Sequence, residues 1–116
     1  MSSITLARWS LMFGLAFVFL YFGIDKLLHP LLWIGWIPGW MDGLLGMGKA
    51  PWLQIIGVAE IVIAVGIVVP VRIVQQIAVI GAAVQLVAIL IVGGWNDIAV
   101  RDTGLLCMAT ALFYLL

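Results

Sequence analysis

The sequence predicts an all-α integral membrane protein: a bundle of four transmembrane helices with an interfacial, Trp-rich segment between the first and the second. Three observations carry this reading. Apolar residues make up 66% of the 116 positions, and the mean hydropathy of +1.33 lies well beyond that of soluble globular domains. Four segments approach the roughly 20 apolar residues that a spanning helix needs. His29-Pro30, Pro70 and Gly93-Gly94 fall at the ends of those segments, as helix punctuation does.

The first span is predicted over about 4–28 and is closed by His29-Pro30. A basic Arg8 before an apolar run suggests a secretory leader, but the run ends in Gly-Ile-Asp-Lys with no small-x-small cleavage pattern, so it reads as a retained helix. The second span covers about 51–69, with Pro51 in its first turn and Pro70 at its end. The third runs over 72–93 and stops at Gly93-Gly94, and the fourth over about 98–116. Between the first two lies LLWIGWIPGWMDGLLGMGKA, too interrupted to span and too apolar for a solvated loop. Its centre, about 31–46, is expected to lie at the headgroup level, where an indole buries its ring and keeps its N–H wet. The whole chain, 1–116, reads as one membrane domain.

An even number of spans places both termini on one side of the bilayer. Trp33, Trp36, Trp40, Trp52 and Trp95 then share the other side and form an expected aromatic lid, with Trp9 alone near the opposite face. Arg8 and Arg72 read as snorkelling anchors there. The positive-inside count is divided, with Lys26, Lys49 and Arg101 at the Trp-rich side, and cytoplasmic termini are the working expectation.

Charge narrows the function classes. Five basic and five acidic residues cancel, which gives no electrostatic case for nucleic acid or for a polybasic lipid anchor. One Cys supplies no dithiol cycle, one His supplies no pair of haem ligands, and no His/Cys/carboxylate spacing suggests a metal site. Cys107 reads as a small packing residue of the fourth helix. His29 reads as a helix-end residue at the interface.

The informative charge is Glu60. It lies about nine residues into the second span, roughly 13 Å deep at 1.5 Å per residue, where a carboxylate must be protonated, paired or in a wet cavity. Lys26, in the last turn of the first helix, leans towards its own N-terminus and so towards that depth. From Thr103 only 14 residues remain, about 21 Å of helix, so if Leu116 approaches the far interface, Arg101 and Asp102 are expected below the near one. Asp25, Lys26, Glu60, Gln85, Arg101 and Asp102 thus form the expected polar pocket. Gly57 and Ala64 flank Glu60 at helical spacing, and Gly81, Gln85 and Ala88 share a stripe, a pattern that packs helices closely in lipid. Two uses of the cluster stay open: a structural ion-pair network, or a pocket under an aromatic lid for a small polar or quinone-like ligand or for proton transfer.

At these residues the sequence is similar to the DoxX family of small four-helix membrane proteins. The similarity rests on Arg8, Gly14, Gly23, Lys26 and Pro30, then on G-V-x-E-I-x-x-x-x-G with Gly57, Glu60 and Gly66, and then on N-D-I-A-V-R-D-x-G-L-L from Asn96 to Leu106. Together these elements span nearly the whole chain. The resemblance implies association with membrane redox systems: a subunit or accessory of a membrane oxidoreductase, with a quinone as the implied ligand and no cofactor held by the chain alone. Partners beyond the lipid bilayer would be oxidoreductase subunits or further copies of the chain. The other reading is a non-catalytic structural, assembly or small-ligand-binding module whose charges only specify helix packing. A self-sufficient enzyme is disfavoured because this inventory assembles no nucleophile–base pair.

Overall fold

The computed structural model describes residues 2–116, and these are helical almost throughout. The order is α1 (Ser3–Leu28), a one-turn α2 (Pro30–Trp33), three 3₁₀ turns at Ile34–Trp36, Gly39–Met41 and Leu44–Gly46, then α3 (Lys49–Val68), α4 (Arg72–Gly93) and α5 (Asp97–Leu115). The four long helices are each long and apolar enough to cross a membrane. In an elongated body of 49 × 27 × 22 Å, α1 packs on α3, α3 on α4, α4 on α5 and α5 back on α1, closing a ring of four.

Helix ends follow local chemistry. Ser2 caps α1 by accepting from the Thr5 N–H at 3.1 Å, and Asn96 caps α5 by accepting from the Ala99 N–H at 3.0 Å. Gly94, at φ +72°, makes the reversal between α4 and α5 in a conformation that a side chain would strain. At the α3–α4 break, Gln75 Nε2 donates to the Ile67 carbonyl at 2.9 Å, satisfying an acceptor that the helix end leaves free. Within α5, Thr103 and Thr110 donate to the carbonyls of Ala99 and Leu106 one turn back, so neither hydroxyl needs a partner on another helix.

The core is built from one stripe of each long helix. It includes Leu15 and Phe19 of α1, Ile67 of α3, Val79 and Ala82 of α4, and Ala109 and Leu112 of α5. Outward faces are apolar as well: Phe13, Phe17, Val62, Ile77 and Val84 are all exposed. A chain with an apolar core and an apolar exterior has the surface of a helix bundle suited to hydrocarbon rather than water.

Small residues set the crossings. A Cβ on Gly23 would lie 2.8 Å from the Gly57 carbonyl oxygen, and one on Gly57 would lie 3.0 Å from the Gly23 carbonyl oxygen. The α1 and α3 backbones therefore touch at a point that only glycine permits. A Cβ on Gly66 would meet the Ala78 Cβ at 2.9 Å, which holds α3 against α4 near their connecting turn. Cys107, expected as a packing residue, is exposed. The inward face of α5 is Ala99, Asp102, Leu105, Ala109 and Leu112, and residue 107 falls off that stripe.

Candidate functional site

The crossing of α1 and α3 builds the first half of the site. Gly23 clears space for the Glu60 Cβ, which would stand 3.1 Å from a Cβ placed there, and Gly57 clears space for the Lys26 Cβ at 3.3 Å. Each side chain leans towards the N-terminus of its own helix, and because the helices run antiparallel the two lean towards each other. Lys26 Nζ reaches 2.6 Å from Glu60 Oε1, with both side chains largely withdrawn from the surface. The contact is a close ion pair, and Glu60 Oε1 keeps a second lone pair for another donor.

The second half comes from α5. Asp102 is 1% exposed and accepts from Arg101 Nε at 3.1 Å and from an Arg101 terminal nitrogen at 3.0 Å, both on Oδ1. The Arg101 side chain remains 40% exposed, in contrast to its partner. The charges that the sequence places in one cluster thus divide into two neutral pairs, one between helices and one within α5.

Aromatic rings join the pairs. Arg101 Cζ stands 4.5 Å from the Phe22 ring centroid, Lys26 Nζ stands 5.8 Å from the same ring and 4.3 Å from the Trp33 ring, and Phe22 meets Trp33 edge-on at 5.4 Å. Both cations therefore rest on π faces as well as on carboxylates. Phe22 is absent from the residues expected from the sequence. The signal for it was available, since it lies one turn before Lys26 on the same face of α1.

Asp25 does not join the polar cluster. Its carboxylate accepts from Trp33 Nε1 at 2.7 Å and lies 2.9 Å from His29 Nδ1, so it faces the chain that follows α1. Its role in the geometry is indirect: it holds the indole that covers Lys26.

A cavity of about 450 Å³ lies under the Trp-rich segment, between α3 and α4 and bounded at its inner end by Lys26, Gln85, Arg101 and Asp102. Trp33, Trp36 and Trp40 line it from above, with Ile37 of the same segment folded inward and buried. The expected aromatic lid is thus three indoles rather than five. Trp52 instead donates to the Leu44 carbonyl at 3.2 Å, fastening the 3₁₀ turns to the start of α3, and Trp95 is 77% exposed outside the cavity. The α3 and α4 walls are apolar and include Ile56, Ala59 and Ala88. The two helices meet at Gly66 and Ala78 and separate towards the Trp-rich end, which is what opens the space.

Ile55, Ile89 and Val92 line the cavity and are exposed. The cavity therefore communicates with the outer surface between α3 and α4. A second, smaller void of about 30 Å³ lies on the bundle axis, and it is this void, not the larger one, that Glu60 lines. Among the described residues no three His, Cys, Asp or Glu side chains converge as a metal site requires.

Comparison of the chain with protein-family models, with curated proteins and with solved structures finds no match in any of the three.

Proposed function

We propose that this chain is a DoxX-like, four-span protein of the cell membrane that binds a quinone-class ligand in the cavity between α3 and α4 and acts as a subunit or accessory of a membrane redox system. The observation that carries the proposal is the make-up of that cavity: apolar walls open to the side of the bundle, aromatic rings above, and hydrogen-bond donors gathered at one inner end. A quinone has the matching parts. Its flat ring suits the indoles of Trp33, Trp36 and Trp40, its carbonyls accept from Lys26, Gln85 or Arg101, and its apolar tail suits the gap beside Ile55 and Val92. A volume of about 450 Å³ falls within the range of roughly 300–1,000 Å³ typical of small-molecule sites.

Charge favours a neutral ligand. Lys26 and Arg101 are each already paired with a carboxylate, so the inner end offers donors without net positive charge and holds no advantage for an anion. Electrons for quinone chemistry would come from a partner oxidoreductase, and further copies of the chain are the other partner class. In this reading the bundle is multi-pass, with the Trp-rich end at one headgroup layer and both termini at the other, cytoplasmic side.

The test is titration of the detergent-purified protein with a short-tailed ubiquinone or menaquinone analogue, read by quenching of tryptophan emission. Saturable quenching is expected in the parent chain and its loss in Ala88→Phe, which fills the cavity from its α4 wall. Absence of saturation, or equal affinity in Ala88→Phe, overturns the proposal. One observation favours a second reading, a purely structural module: the Lys26–Glu60 pair closes directly across the tightest helix crossing. That reading expects no saturable quenching, together with a loss of thermal stability in Glu60→Gln.

A further inference from the structure

The small void on the bundle axis carries an inference independent of what occupies the larger cavity. All four long helices contribute to its wall: Phe19 and Phe22 from α1, Glu60 from α3, Gln85 from α4, and Asp102 and Leu105 from α5 among others. Two buried polar atoms of its lining residues, Gln85 Nε2 and Asp102 Oδ2, have no hydrogen-bond partner among the described residues, and Glu60 Oε1, in contact with Lys26 Nζ at 2.6 Å, has a further lone pair to offer. Glu60 and Asp102 are 4% and 1% exposed, so bulk solvent does not satisfy them. Leaving such groups unpaired in an apolar interior is costly, and native proteins commonly satisfy them with a buried water.

We infer that this void is a water-binding site, in which one water donates to Glu60 Oε1 and to Asp102 Oδ2 and accepts from Gln85 Nε2. The count fits a single water: two acceptors and one donor use both of its hydrogens and one of its two lone pairs, and about three hydrogen bonds is the usual number for a buried one. Size agrees, since the void of about 30 Å³ exceeds the roughly 10–15 Å³ that one water requires. Charge selects water over a cation, because Glu60 already carries Lys26 and Asp102 already carries Arg101. Lys26 and Arg101 also line the void, each held by its own carboxylate, and the rest of the wall is apolar side chains such as Phe19, Leu86 and Leu105.

The bound water has a structural consequence. It converts the pair between α1 and α3 and the pair within α5 into one hydrogen-bonded unit, with Gln85 tying in α4. It also links Glu60, which does not line the larger cavity, to Asp102 and Gln85, which do.

The experiment uses the full chain, 15N-labelled, in detergent micelles without any quinone, and measures cross-relaxation between water and the Gln85 side-chain amide protons. A cross-peak with the sign of a long-lived water is expected in the parent chain, and Gln85→Leu assigns it by removing the amide. Val18 lines the same void, and Val18→Leu extends a side chain into it while leaving Gln85 and Lys26 in place. Loss of the cross-peak in Val18→Leu, with the amide resonance retained, supports a water in the void. A cross-peak that is absent from the parent chain, or unchanged in Val18→Leu as relay from the exchanging Lys26 ammonium would make it, overturns the inference. Neither outcome bears on quinone binding, which the fluorescence titration measures separately.

Discussion

Replacing Gly23 with alanine tests the glycine contact on which the Lys26–Glu60 geometry depends. The added Cβ would stand 2.8 Å from the Gly57 carbonyl oxygen, 2.9 Å from Ile61 Cγ1 and 3.1 Å from Glu60 Cβ. Ordinary contact begins near 3.4 Å, so the backbone contact is short by 3.4 − 2.8 = 0.6 Å. Ile61 has a side chain that can turn away, but the Gly57 oxygen belongs to a helix and moves only if α3 moves. Overpacking of this kind costs about 1–3 kcal/mol, against a gain of about 0.5–1 kcal/mol from the better helix propensity of alanine. A net loss of about 0.5–2 kcal/mol is expected, read as a lower unfolding midpoint in a mixed-detergent titration followed by circular dichroism. Gly104, also helical, has nothing within 4 Å of its would-be Cβ, so Gly104→Ala should be neutral or stabilising in the same assay. Gly23→Ala as stable as the parent, or the two substitutions alike in sign, would refute the claim that α1 and α3 meet through glycine backbone.

Three other perturbations follow from the same contacts. Lys26→Met leaves Glu60 buried without its cation and should cost about 3–5 kcal/mol, whereas Lys26→Met combined with Glu60→Leu should recover most of that loss in the same detergent titration; a double variant no better than the single would show that the pair does not act as a unit. Gln75→Leu strands the Ile67 carbonyl at the end of α3 and should lower stability by about 1–3 kcal/mol, with circular dichroism at fixed temperature as the readout and an unchanged midpoint as the contrary result. Asp25→Ala removes the acceptor of the Trp33 indole, so the Trp33 indole N–H resonance should move upfield in a 15N correlation spectrum while those of the other tryptophans stay in place; no shift at Trp33 would mean that Asp25 does not hold the lid.

Much of the site's membership is traceable to single residues, while its wiring is not. Glu60 announces itself because a carboxylate amid apolar helix is expensive, and Lys26 follows because side-chain lean and chain direction are local properties. Asp25 looks equivalent to Lys26 in the sequence, being its neighbour, yet adjacent helical residues point about 100° apart, and the two face different partners. Asp102 is buried and Arg101 is exposed, but nothing in their order shows that they bond to each other rather than to Lys26 and Glu60. The tryptophans divide for a similar reason: Trp33, Trp36 and Trp40 sit on one short segment around the buried Ile37, while Trp52 lies in the first turn of α3 and Trp95 in the bend between α4 and α5.

By itself, then, the sequence determined the number and approximate limits of the long apolar helices and the glycines available for close approach, because these depend on hydropathy and propensity within a few residues. Only the tertiary structure decided that Gly23 meets Gly57, that the charges separate into two pairs across Phe22, and that α3 and α4 part to open a cavity beneath three indoles. Those outcomes depend on how far each helix is rotated about its own axis and on tenths of an ångström at the crossings, which no local pattern in the chain encodes.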